Sequence, residues 1–189
     1  MTKKQKIEHT AKELFWKHGF KKVSIDEICR KSHVSRKTFY TYFDNKSALV
    51  IFILTDMTNE MLSAYSELME SEIPFSAKIE KLIAQKLEMS KNFSMEFVAD
   101  FFNPDAADIL KYFTEITTES FRLTKIFFTR AQENGEMNPN LNIDFVMWML
   151  QKQMDLTASP ELMLMFPDAE SMTHQISELF IYGIMPVRK

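Results

Sequence analysis

Glycine occurs only three times in 189 residues, each time after a helix-forming run: "KHG" at 17–19, "ENG" at 133–135 and "IYG" at 181–183. Helices tend to stop with glycine just beyond the last turn, where a positive φ is needed. Strand-type alternation is hard to find, while apolar residues recur at helical spacing along the whole chain. The expected fold is all-α.

Ile7, Ala11, Leu14 and Phe15 form a stripe on one face of a first helix that ends at Gly19. "SIDE" at 24–27 is a capping-box pattern, with Ser24 accepting from the Glu27 amide while Glu27 reaches back. The second helix shows Ile25, Ile28 and Cys29 to the core and runs to about Lys31. "SHVS" then breaks the chain, with Val34 as an apolar plug and Ser35 as N-cap of a third helix from Arg36. Two short helices about a four-residue turn have the dimensions of a helix-turn-helix.

Phe39 and Phe43, four residues apart, are enough to hold the third helix against the other two. Arg36, Lys37, Thr38, Tyr40, Thr41 and Tyr42 remain around the rest of that short cylinder. In a major groove the N-terminal residues of such a helix meet base edges. Arginine and lysine donate to guanine, threonine bonds either way or touches a thymine methyl, and tyrosine hydroxyls reach phosphates. A merely solvated polar face would not call for two exposed tyrosines.

Charge points the same way. Residues 1–48 hold 12 Lys/Arg against 5 Asp/Glu, a net of +7; residues 49–189 hold 11 against 21, a net of −10, and together they give −3. Such a division suggests a small polyanion-binding part, 1–48, joined to an acidic part, 49–189, with another task. The plainer alternative is two solvated faces of unlike charge.

The segment "SIDEICRKSHVSRKTFYTYFDNKSALV", with "LFWKHGF" upstream and "YFDNKSAL" opening a fourth helix, resembles the DNA-binding region of the tetracycline-repressor (TetR) family of bacterial transcription regulators. The resemblance covers about residues 5–54. It implies that Arg36, Lys37, Thr38 and Tyr40 face the groove, beside the N-cap Ser35, and that Ser24, Tyr42 and Lys46 hold the phosphate backbone. One departure is His33, where the family commonly has glycine. Histidine tolerates a left-handed conformation better than most residues, so the turn should survive. Lys3, Lys4 and Lys6 precede the first helix, either as a frayed solvated end or as an arm touching phosphates.

Beyond a fourth helix at about 45–69, Pro74 marks a joint, and helices are expected at about 76–92, 94–102, 105–114, 116–134, 142–157 and 168–184. Pro104, "NGEMNPNLN" at 134–142, Pro160 and Pro167 separate them. Residues 49–189 hold 13 of the 17 Phe and 13 of the 14 Met. Phe93, Phe97 and Phe101 follow at four-residue spacing, with Tyr112, Phe113, Phe121, Phe127 and Phe128 after them. Such a stripe is core more often than ligand box, yet methionine is common on adaptable binding surfaces. The family resemblance implies a ligand cavity here, which makes Phe93, Phe97, Phe101, Tyr112, Phe113 and Trp148 the candidate wall for a small lipophilic effector. Glu96 and Asp100 flank the stripe and either face a cationic lipophile or lie exposed.

The segment 142–157 is apolar nearly all round, through Ile143, Phe145, Val146, Met147, Trp148, Met149, Leu150 and Met154, and calls for burial on more than one face. The last helix repeats the theme with Met172, Ile176, Leu179, Phe180 and Ile184. The resemblance implies a four-helix dimer seam from these two helices, with Val146, Leu150, Met154, Ile176 and Phe180 in it. The alternative is two interior helices of a monomer.

Chemistry for catalysis is missing from the sequence. His9, His18, His33 and His174 are scattered, with no HExxH motif or Cys/His cluster for a metal, and there is no GxSxG elbow or glycine-rich phosphate loop. No cofactor is expected. One cysteine, Cys29, cannot make an internal disulfide framework and fits a reducing cytoplasm. "LVIFIL" at 49–54 is far too short to cross a bilayer and the N-terminus has no apolar signal core, so a cytoplasmic location without a membrane partner is expected. The expectation is a homodimeric regulator that binds a double-stranded DNA operator, most simply a repressor relieved by a small molecule. The competing class is a helical protein-interaction adaptor.

Overall fold

The computed structural model describes residues 1–157 and 159–184. Ten helices make up the described residues: α1 (Lys3–His18), α2 (Ile25–Ser32), α3 (Arg36–Tyr42), α4 (Lys46–Glu70), α5 (Phe75–Ser90), α6 (Met95–Phe102), α7 (Ala107–Glu133), α8 (Ile143–Thr157), α9 (Pro160–Met163) and α10 (Ala169–Ile184). No strand occurs among the described residues. The all-α expectation holds.

Several helix starts are set by a hydroxyl that accepts from an amide three residues on, which satisfies one of the orphan donors of the first turn. Ser24 accepts from Glu27 N at 3.2 Å, Ser35 from Thr38 N at 3.1 Å, Ser94 from Phe97 N at 3.1 Å and Ser159 from Leu162 N at 3.2 Å. The expected reciprocal box at Ser24 is only half used, because the Glu27 carboxylate lies 3.4 Å from Lys31 one turn on. A full box opens α1 instead: Gln5 N donates to Thr2 Oγ1 at 3.2 Å and Thr2 N donates to Gln5 Oε1 at 2.8 Å. Lys3, Lys4 and Lys6 therefore lie inside α1 rather than ahead of it. Helix α5 starts after Pro74, which has no side-chain cap to offer, and Glu136 Oε1 accepts from Phe75 N at 3.0 Å in its place.

Three further expectations need correction. The helices expected at 105–114 and 116–134 are one, α7, because "TEITT" has low helix propensity but neither proline nor glycine to stop the ladder. Pro160, read as a breaker, instead sits in the first turn of α9, where its missing N–H costs nothing. Gly183 lies within α10, which continues to Ile184. The Ile184 side chain lies outside the described residues.

The helices gather into two compact units, Met1–Leu62 with Asn92–Phe113, and Ser63–Lys91 with Thr114–Lys189. The first is larger than the 1–48 segment, since α6 packs on α1 and the start of α7 meets α6 through Phe113–Phe101 and α4 through Tyr112–Thr58. Its core includes Ile7, Ala11, Phe15, Phe20, Ile28, Phe39, Leu49 and Phe97. The second unit centres on Phe75, Ile79, Phe128, Ala131, Met137, Val146 and Met147, with Leu150, Phe180 and Ile181 packed against them.

Gly19 closes α1 with φ 72° and ψ 157°, a region open to little but glycine. A Cβ there would collide with Asp100 Oδ2 and come within 3.0 Å of the Glu96 carbonyl oxygen. Gly135 also has a positive φ, 73°, but a Cβ on it would meet nothing within 4 Å. Gly135→Ala should therefore lose only the backbone cost, about 1–2 kcal/mol, and Gly19→Ala clearly more. Urea unfolding of the two variants tests this, and equal losses would contradict the packing described for Gly19.

Candidate nucleic-acid interface

Helix α3 has only seven residues, too few to be stable alone, so its position depends on what it buries. Phe39 is fully buried, and Phe43 packs on it at 5.8 Å between ring centroids and on Phe52 at 5.6 Å. Ser35 Oγ accepts from Thr38 N and lies 3.0 Å from Thr38 Oγ1. With that face fixed, Arg36, Lys37, Tyr40, Thr41 and Tyr42 are exposed and Thr38 is half-buried. Tyr40 and Tyr42 keep 45% and 42% of their surface in contact with water, a large share for aromatic side chains that no core requires.

The turn before α3 pivots on His33, the residue that replaces the expected glycine. It adopts φ 56° and ψ 41°, left-handed as the sequence reading required, and Val34 N donates to Cys29 O at 3.0 Å across it. Arg36 reaches back over this turn, its Nη1 lying 3.2 Å from Asp26 Oδ1 and 3.4 Å from Oδ2. Its guanidinium is held above its ordinary range first by a hydrogen bond with Tyr40, one turn on, and then by Asp26. The Cys29 thiol, buried behind the turn, is pushed up by desolvation first and then by Asp26. A thiol so held is a poor nucleophile.

Lys46, expected at the phosphate backbone, is engaged inside the protein. Its Nζ donates to the carbonyls of Phe20, Lys21 and Val23 at 2.8, 3.0 and 3.1 Å, which uses all three ammonium donors on the loop between α1 and α2. Burial lowers its pKa, opposed by Asp100 and Asp105. Asp100 meets the same loop from α6. Its Oδ2 accepts from Lys21 N at 2.8 Å, so it is buried and bonded rather than turned toward a lipophile or exposed. Lys21 Nζ lies 2.8 Å from Asp105. No sequence signal joins these groups, since Lys21 and Asp100 are 79 residues apart.

The expected ligand wall divides between the two units. Phe97 is 2% exposed, stacked on Trp16 at 5.3 Å and packed on Phe93 at 4.7 Å and Phe101 at 6.0 Å, while Phe101 meets Phe113 edge-on at 4.5 Å. Tyr112 lies 5.8 Å from Phe113, its hydroxyl 2.9 Å from Thr58 Oγ1. These five rings are thus brought together, with Trp16 as a member that the sequence reading did not name. Glu96 is exposed. Trp148 belongs to the second unit, 55% exposed on α8 and stacked on Phe145 at 6.4 Å.

The residues expected at a dimer seam divide too. Val146 is buried in its own unit, Leu150 and Phe180 pack on the same core, and Met154 and Ile176 are half-buried. Gln153 Nε2 donates to Ile176 O at 3.1 Å, tying α8 to α10 within the chain. Among the described residues of α8 and α10, the large apolar side chains left in water are Phe145, Trp148, Met149 and Leu156 on α8 and Leu179 on α10.

Lys46→Met should lower stability by about 1–2 kcal/mol, toward the lower end for charge-assisted bonds because the group is half-buried. Lys37→Met, on the exposed face, should stay within about 0.5 kcal/mol of the parent. Urea midpoints measure both, and an unchanged Lys46→Met protein would show that the three carbonyl bonds contribute nothing.

Among the described residues no group of three or more His, Cys, Asp and Glu could hold a metal ion, and no helix is long and apolar enough to cross a membrane. Residues 7–51 match the family model "Bacterial regulatory proteins, tetR family". YhgD of Bacillus subtilis (strain 168), an uncharacterized HTH-type transcriptional regulator, is 30% identical over 89 residues, 47% of either chain. The chain thus spans about half the length of that relative. The HTH-type transcriptional regulator UidR of Escherichia coli (strain K12) is 26% identical over 144 residues, 72% of this chain and 70% of UidR. In fold, the transcriptional regulator FadR from Bacillus subtilis, solved in complex with stearoyl-CoA, superposes with a TM-score of 0.72 at 16% identity over 96% of this chain and 99% of FadR. The capped α2–turn–α3 geometry is built from the matched residues, so the likeness to the tetR family of bacterial regulatory proteins is carried by residues 7–51.

Proposed function

We propose that the chain is a homodimeric transcriptional regulator that binds a double-stranded operator, a repressor which a lipophilic small molecule releases. The observation that carries the DNA reading is the outer face of α3. Exposed Arg36, Lys37, Tyr40 and Tyr42 stand on a helix anchored by buried Phe39, in a segment of net charge +7. In this reading residues 1–48 read DNA, with Arg36, Lys37, Thr38 and Tyr40 at base edges and Ser24, Ser35 and Tyr42 at phosphates. Lys46 acts by holding the loop at Phe20–Val23. Residues 49–189 pair the subunits and take the effector. Arg36→Ala and Lys37→Ala should each narrow the preference for a duplex selected from a random library over a scrambled one by about 10-fold, the order of one base contact. Gel-shift titration measures it, and equal losses on both duplexes would contradict base reading.

The dimer reading is supported by the apolar surface of α8. Phe145, Trp148, Met149 and Leu156 fall on one helical stripe, opposite the side that Val146 and Leu150 give to the core. Large apolar side chains exposed on one side of a helix, here with Lys152 among them, are costly for a monomer and usual at an interface. This stripe and Leu179 replace Val146 as the centre of the proposed seam. Trp148→Glu and Leu179→Glu should each give a monomer in sedimentation experiments, with operator binding weakened through the loss of effective concentration. A variant that remains a dimer would remove the stripe from the interface.

The effector reading is supported by the Phe and Met content of the later part and by the FadR fold, which accommodates stearoyl-CoA in that protein. The Phe93–Phe97–Phe101 rings fill their own space, so an effector that used them would have to part them from Trp16 or Phe113. Operator release then equals the difference in effector binding between the two states, typically 5- to 150-fold. Stearoyl-CoA, a lipophilic cation and a neutral aromatic, each titrated against the operator complex, test this. Release by one class is the expected result, and release by none would leave the rings as core.

A further inference from the structure

Arg36 is gripped from outside its own helix. Asp26, in the first turn of α2, approaches a single guanidinium nitrogen, Nη1, with both carboxylate oxygens at 3.2 and 3.4 Å, across the turn between the two helices. A guanidinium held at Nη1 still presents its Nη2 and Nε edge, the fork that matches two acceptors in one plane. We propose that Asp26 is a specificity-determining residue of DNA reading: it aims the Arg36 fork at a base edge and opposes the use of Arg36 as an unspecific phosphate contact. This rests on the DNA reading above and adds a role that the helix-turn-helix geometry alone does not assign.

Stability is a weak reason for this pair to exist. The Arg36 and Asp26 side chains are 61% and 66% exposed, and exposed ion pairs of this kind contribute little to folding. Glu27 already supplies a carboxylate to the first turn of α2 and pairs with Lys31. On a surface meant for phosphates, a carboxylate beside the leading arginine is unfavourable for binding in general. What it supplies is order. Arginine loses much rotamer freedom when it docks, and a side chain held beforehand loses less. The Asp26 carboxylate reaches Arg36 from α2, so the side chain is held from outside its own helix. A braced arginine rewards two coplanar acceptors, the O6 and N7 pattern of guanine, above isolated phosphate oxygens. The carboxylate meanwhile penalises every sequence that lacks that reward, so discrimination has both an attractive and a repulsive component.

The test compares wild type, Asp26→Ala and Asp26→Asn, after melting curves establish that all three fold. Each protein selects duplexes from a random-sequence library, and each is titrated against the wild-type-selected duplex and a scrambled one. Wild type should enrich a guanine that Arg36→Ala no longer enriches. Asp26→Ala should lose preference at that same base pair by about 10-fold and keep it elsewhere, while its affinity for the scrambled duplex rises. Asp26→Asn, which keeps one acceptor without the charge, should fall between. An unchanged selected sequence, a uniform loss at all positions, or weaker binding to scrambled DNA would each overturn the proposal while leaving DNA binding itself intact. Failure of wild type to enrich any sequence would overturn the DNA reading and this proposal together.

Discussion

The buried carboxylate of Asp100 is the contact on which the placement of the reading helix depends. It accepts from the Lys21 amide at 2.8 Å against Gly19, the one residue type whose backbone and absent side chain let α6 come so close. A carboxylate taken from water needs such donors, and the amide returns them in a fixed direction. Two further contacts align α6 with the end of α1: Ser94 N donates to Trp16 O at 2.9 Å, and the Trp16 ring stacks on Phe97. Lys46 binds the next carbonyls of the same loop from the start of α4. The loop that leads into α2 is therefore set by α6 on one side and α4 on the other.

Once that loop is fixed, the remainder of the reading unit follows from short-range rules. Helices of eight and seven residues hold their positions through Ile28, Cys29 and Phe39, with hydroxyl caps at Ser24 and Ser35 fixing where each begins. Most polar residues of α3 lie exposed because two phenylalanines suffice for anchorage. Charge is divided along the same line, positive in residues 1–48 and negative beyond them.

Sequence reading went furthest where the determinants are local. The Ser24 and Ser35 caps, the helical stripes, the left-handed turn at His33 and the Phe39/Phe43 anchor each rest on residues a few places apart, and they appear as expected except that Glu27 turns to Lys31 instead of closing the box. It failed where partners are distant. Nothing near Lys46 announces carbonyls 23 to 26 residues away, and nothing near Asp100 announces Lys21. The phenylalanine stripe shows the limit from another side. Spacing identified Phe93, Phe97 and Phe101 as one face, but only packing supplies Trp16 as its cover and sets Trp148 on another unit. On α8, apolar residues all round the helix could not say which face is core, and the structure assigns Val146 inward and Phe145, Trp148 and Met149 outward.

The most direct measurement is hydroxyl-radical footprinting of the wild-type protein on a duplex that it selects from a random library. Paired reading helices should protect two backbone patches on one face of the duplex, centred about 34 Å apart or a small multiple of that. A single patch, or protection spread evenly along the duplex, would contradict a pair of α3 helices reading adjacent major grooves.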